Sequence, residues 1–151
     1  MRILDLAQPA PVVVSTEIAV TEAAMRMRRY HVGDLLVTRT EGAHQIPVGI
    51  LTDRDIAISI VGPAGEELSG LTVGDVLSTA EVITIDEEAS VEEAIELLQA
   101  HGIRRLPVVD GNGSLTGILT LDDLLQHLTT QLEKLASVVS RQRARETREK
   151  R

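Results

Sequence analysis

Two threonine–aspartate pairs with the same spacing are the residues best placed to do chemistry: Thr52-x-x-Asp55 and Thr120-x-x-Asp123. Each closes a near-identical stretch, GILTDRD at 49–55 and GILTLDD at 117–123. If an apolar strand ends at the threonine and a helix begins there, two uses of the pair are open. The hydroxyl can accept from the free N–H groups of the first helical turn, and the carboxylate three residues on is favoured by the helix dipole. That is a cap and needs no ligand. The same carboxylate, at the C-terminal edge of a strand, can also accept two hydrogen bonds from a vicinal diol such as a ribose. The hydroxyl and neighbouring N–H groups then face a phosphate.

The elements that would position these pairs recur with them. LDLAQPAPVVV (4–14) lies against GDVLSTAEVIT (74–84), AVTEAA (19–24) against SVEEAI (90–95), and VGDLLV (32–37) against IRRLPV (103–108). The offset is 70 or 71 at first and falls to 68 at the GILT motifs, so copy one carries three extra residues. They fall in TRTEGAHQIP, whereas the Asp-Gly and Asn-Gly pairs of VDGNGSL predict a tighter hairpin in copy two. Each copy reads as an extended stretch (12–14; 82–85), an amphipathic helix, a hairpin (35–38 with 46–51; 106–109 with 115–119) and a second helix (53–61; 121 onward). Val20, Ala23, Ala24 and Met27 form the apolar face of the first helix, and Val91, Ala94, Ile95 and Leu98 that of its counterpart. Ser90 with Glu93 forms a capping box. The expected fold is α/β: two β-α-β-β-α repeats (1–61 and 73–130) packed with pseudo-twofold symmetry, joined by a linker at 62–72. A unit of about 60 residues is marginal alone, and packing two copies together buries their open sheet faces.

Beyond the second repeat, residues 131–151 continue as a helical extension with a basic tail. Leu121, Leu125, Leu128, Leu132, Leu135 and Val139 step by 4, 3, 4, 3, 4, an a/d seam whose later part is expected to meet a second protomer.

Composition narrows the function. The 151 residues carry a net charge of −8, with one aromatic residue (Tyr30) and no cysteine. The last twelve residues carry +4 and the remainder −12. An acidic body without aromatics argues against nucleic acid as partner. Absence of cysteine excludes thiol chemistry and fits a reducing cytoplasm. No stretch approaches the roughly 18 apolar residues that span a bilayer, so no membrane partner is expected. The histidines (31, 44, 101, 127) lack metal-ligand spacing. The carboxylates of DEEASVEE (86–93) lack calcium-loop spacing and read as a solvated first turn. No nucleophile, base and orienting group come together, so no catalytic or metal residue is assigned and the chain is not expected to be an enzyme.

The repeated unit, the strand-to-helix junction G-h-h-T-x-x-D (h apolar) and HGIRRLPVVD (101–110) resemble tandem CBS domains, a pair of which forms a Bateman module. The resemblance covers roughly 3–61 and 73–130. It implies a regulatory module that binds adenosine-containing ligands (AMP, ADP, ATP or S-adenosylmethionine) in clefts between the repeats, modulates a partner protein of unknown identity, and forms a homodimer. By the resemblance Asp55 and Asp123 hold ribose, and Thr52 and Thr120 lie near ribose or phosphate. Arg54, Arg104 and Arg105 reach phosphate, and Thr84 and Ile85 contact adenine. Copy one has Gly33 and Asp34 where copy two has Arg104 and Arg105, and Asp34 is expected to repel a phosphate. The alternative is a ligand-free interaction scaffold in which the Thr–Asp pairs are caps alone. A small nucleotide-processing enzyme is disfavoured by the missing catalytic constellation.

Overall fold

The structure is a computed structural model that describes residues 1–9, 12–61, 70–77 and 80–149. Most of the expected linker, 62–69, and the last two tail residues lie outside the described residues. The first repeat runs β1 (Val13–Ser15), α1 (Val20–Tyr30), β2 (Asp34–Glu41), β3 (His44–Thr52) and α2 (Asp53–Val61). A short helix α3 (Val73–Val76) precedes β4 (Ile85–Asp86), α4 (Val91–His101), β5 (Arg105–Val109), β6 (Leu115–Thr120) and α5 (Leu121–Glu149). Each repeat forms one three-stranded sheet, with the first strand parallel to the second and the second antiparallel to the third. Both central strands carry an irregularity in register, at Val37/Thr38 and at Val108/Val109.

Local signals explain the helices. Ser90 Oγ accepts from Glu93 N (3.2 Å) and Ser90 N donates to Glu93 Oε2 (2.7 Å), the capping box expected of α4. The Ser90 backbone N–H, and after it the Ser90 hydroxyl, hold the Glu93 carboxyl below its ordinary pKa, since both favour the charged form. α4 ends at Gly102, in the left-handed region at φ 61°. α1 ends at the equivalent His31, also left-handed at φ 54°. The buried faces are narrower than the apolar stripes: Val20, Ala23 and Met27 on α1, and Ala94 and Leu98 on α4. Ala24 and Ile95, equivalent by the offset of 71, are exposed.

The hairpins correct one expectation. The extra residues of copy one lengthen its strands, and its turn is the tight one, Gly42–Ala43 with Gly42 at φ 60°. Copy two closes through the longer loop 110–114. There Asp110 Oδ1 accepts from Asn112 N (2.8 Å) and Ser114 N (2.9 Å). Its side chain builds a loop longer than the tight hairpin that the Asp-Gly and Asn-Gly pairs suggested. The two amide bonds, to Ser114 first and Asn112 second, pull the Asp110 carboxyl below its ordinary pKa.

Two aliphatic cores result, one per repeat, and each crosses the sequence boundary. Ile3, in a 3-10 turn at Ile3–Asp5, is wholly buried with Ile85, Ala94, Leu98 and Leu106 of the second core. Val73 of α3 is wholly buried with Val14, Val20 and Leu51 of the first. Backbone bonds fix both excursions: Ile3 N to Ala89 O (3.0 Å) and Leu4 N to Glu87 O (3.0 Å), against Val73 N to Ile18 O (2.9 Å) and Gly74 N to Thr16 O (2.8 Å). The segments then cross the third strands at the glycines of the GILT motifs. Gln8 exchanges two backbone bonds with Ile118, and a Cβ on Gly117 would lie 2.8 Å from Gln8 O. A Cβ on Gly49 would lie 2.8 Å from the methyls of Leu77. The motif glycines therefore admit the exchanged segments.

Substitution by alanine tests this. Gly117→Ala meets a backbone carbonyl and should cost about 1–3 kcal/mol, the range for overpacking, while Gly49→Ala meets a side chain that can turn away and should cost less. Urea unfolding of both variants checks the order; equal costs would contradict the crossing as the reason for the second glycine.

Candidate ligand cleft between the repeats

The two strand-to-helix junctions are built alike. Asp53 N donates to Gly33 O and Leu121 N to Arg104 O, both at 2.9 Å, tying each helix start to the residue before the central strand. Thr52 stands opposite Asp34 across the sheet, and Thr120 opposite Arg105. Each Thr–Asp pair is a reciprocal cap. Thr52 N donates to Asp55 Oδ2 (3.0 Å) and Asp55 N to Thr52 Oγ1 (3.1 Å). Thr120 N donates to Asp123 Oδ2 (2.9 Å) and Asp123 N to Thr120 Oγ1 (3.1 Å), with the Thr120 hydroxyl donating to the same Oδ2 (2.6 Å). The second carboxylate oxygen, Oδ1, makes no hydrogen bond to a described residue at either site.

A cleft of about 380 Å³ opens between the repeats beside the first junction. Asp34, Ile50 and Thr52 line it from the first repeat, and Leu77, Glu81, Val82, Ile83, Ile103, Arg104 and Arg105 from the second. Its walls are aliphatic and its polar groups few, the usual make-up of a small-molecule site. Of the residues singled out in the sequence it brings together Thr52, Arg104 and Arg105. Arg105 forms an ion pair with Asp34 across the repeat boundary. Asp34 is therefore not a lone repelling charge: its carboxylate is held by the arginine expected to bind phosphate. Arg104 lies 3.9 Å from Asp122, and both are well exposed. With Glu81 counted beside Asp34, the two arginines of the lining are matched by two acids, so the cleft is formally neutral.

The other expected residues lie elsewhere. Thr84 lines a second cleft, of about 430 Å³, with Arg39, Ile46, Val48 and Val109. Ile85 is 4% exposed and belongs to the second core, so its side chain is not available to an adenine. Arg54 is exposed on α2 and makes no hydrogen bond or ion pair with a described residue. Asp55 is half-buried behind Thr52, and Asp55, Thr120 and Asp123 line neither of these two clefts. The sequence reading did not name Ile50, Ile83 and Ile103 as lining residues. Ile83 and Ile103 adjoin residues it did name and Ile50 lies two before Thr52, and the signal available was the apolar type of a near neighbour. Among the described residues no group of three or more histidines and carboxylates could hold a metal ion, and no helix is long and apolar enough to cross a membrane.

Comparison with known proteins agrees with this architecture. The family model described as CBS domain matches twice, at residues 3–62 and 73–130. An uncharacterized protein of Methanopyrus kandleri is 40% identical over 111 residues, covering 74% of this chain and 54% of that protein. The chain thus spans about half the length of that relative. The CBS domain-containing protein YhcV of Bacillus subtilis is 38% identical over 112 residues, 74% of each chain. Among solved structures, the CBS domain pair of protein MJ0100, in complex with 5′-methylthioadenosine and S-adenosyl-L-methionine, has a TM-score of 0.68 at 23% identity, covering 87% of this chain and 98% of that one. Two matched repeats, two sheets of the same topology and a capped Thr-x-x-Asp junction in each lead to one conclusion: the chain belongs to the CBS-domain family, as a tandem pair.

Proposed function

We propose that this CBS pair is a regulatory module that binds an adenosine-containing ligand in the cleft between its repeats and thereby modulates a partner protein. One observation carries the reading: Thr52 and Ile50 of one repeat and Ile83, Ile103, Arg104 and Arg105 of the other face a single cleft of ligand size. A molecule seated there touches both repeats, so its affinity depends on their relative angle and its binding shifts that angle. Aliphatic walls suit an adenine, and Thr52 stands where a ribose would meet the junction. Asp55, at the junction beside this cleft, is assigned its ribose role through Oδ1, the oxygen that the cap leaves over, and Asp123 is assigned the same role at the second junction, outside this cleft. The complex of the MJ0100 pair with two adenosine derivatives supports the ligand class. A cytoplasmic location fits that class. No chemical step is assigned to the chain.

A second reading has its own support. Both Thr–Asp caps are complete without a ligand, as a scaffold that only binds proteins would require. The readings part on ligand binding.

We also propose that α5 pairs with α5 of a second copy. Leu124 is buried against the second core, but Leu125, Leu128, Leu132, Leu135 and Val139 are 42–66% exposed along one heptad seam. A second copy offers the same seam. Charge favours an antiparallel arrangement, which sets the exposed Arg141 and Arg145 of each helix towards the acidic body of the other protomer.

Two outcomes are expected. Thermal melting with AMP, ATP, S-adenosylmethionine or 5′-methylthioadenosine should raise the midpoint by several degrees for at least one, since ligand at about a hundred times its Kd adds about 2.7 kcal/mol. Asp55→Ala, at the junction beside the cleft, should weaken the shift while costing only about 1 kcal/mol as a lost cap, and Asp123→Ala, at the junction outside it, should carry the same cost and leave the shift in place. No shift with any of the four at millimolar concentration favours the scaffold. For α5, Leu132→Lys with Leu135→Lys should halve the mass found by light scattering and leave the melting of the body unchanged; an unchanged mass excludes this seam as the interface.

A further inference from the structure

We infer that Asp34 makes the cleft select adenosine ligands without a phosphate on the 5′ end of the ribose; the inference rests on the ligand reading above. Asp34 and Arg105 are equivalent positions, 71 residues apart, each opening the central strand of its repeat opposite the motif threonine. At this shared position the repeats carry opposite charges, and the two side chains meet as an ion pair in the wall of the cleft. Asp34 is the more enclosed partner, its side chain 25% exposed against 44% for Arg105. A phosphate seeking Arg105 must displace Asp34, leaving a half-buried carboxylate without its cation and beside a new anion. Both consequences oppose binding. The remaining charges do not compensate: Arg104 has Asp122 beside it, and Glu81 adds a further negative charge to the lining. A ligand that is neutral or cationic at the 5′ end of its ribose leaves the Asp34–Arg105 pair intact.

The test is titration calorimetry at fixed ionic strength with ATP and 5′-methylthioadenosine, on the parent chain and on Asp34→Asn. The parent should bind 5′-methylthioadenosine more tightly than ATP. Asp34→Asn should tighten ATP about fivefold, the scale of a partly exposed ion pair, and change 5′-methylthioadenosine by less than about twofold. Asp34→Ala should give the same order, which separates loss of charge from any effect of the new amide. Parent protein that binds ATP at least as tightly as the thioether, or a substitution that moves both ligands equally, overturns the inference and leaves the adenosine reading standing. Binding of neither ligand by parent or variants overturns both.

Discussion

Ile3 belongs to the first copy by sequence, yet it is wholly buried among Ile85, Ala94, Leu98 and Leu106 of the second; Val73 returns the exchange in the first core. Neither repeat completes its aliphatic core without a segment from the other. Burying an isoleucine is worth roughly 1.5–3 kcal/mol, a large share of the stability of a unit this small. The exchange fixes how the repeats face each other, because each segment must cross a third strand where a glycine lets it approach. The cleft follows from that constraint. Its lining includes Leu77, the residue that passes over Gly49, together with Val82 and Ile83.

The atoms that cap the helices at the junctions are the ones to which the proposed function gives a ligand role. The threonine hydroxyl and one carboxylate oxygen close the first turn of α2 or α5, and the other oxygen stays available. A ligand that drew on the same carboxylate would therefore act on the start of the helix as well as on the gap between repeats. Binding could then be felt along α5, a helix of 29 residues whose apolar seam continues beyond the body.

Much of this was legible because it is local or periodic. The offset of about 70 residues located both repeats, the 3.6-residue spacing located α1 and α4, and the Ser90–Glu93 box located the start of α4. Long-range contacts leave no such mark. Nothing near Ile3 points to Ala89, so the exchange of segments could not be read. The resemblance placed Ile85 on a strand near adenine, and β4 has two residues, too few for alternation to show that this side chain is buried. The hairpin of copy two was misjudged because Asp110, which favours turns in general, here caps a longer loop with its side chain. Asp34 was noticed as a misplaced charge; that it meets Arg105 depends on the pseudo-twofold packing, which brings equivalent positions together.

The central claim is that the cleft joining both repeats is where the ligand sits. Labelled protein titrated with 5′-methylthioadenosine, and followed through backbone amide and isoleucine methyl resonances, tests it most directly. The account predicts saturable shifts at Thr52, Ile50, Ile83 and Ile103, from both repeats with one affinity, and none confined to α5 beyond Leu132. Shifts limited to one repeat, or absent from these four residues, would contradict it.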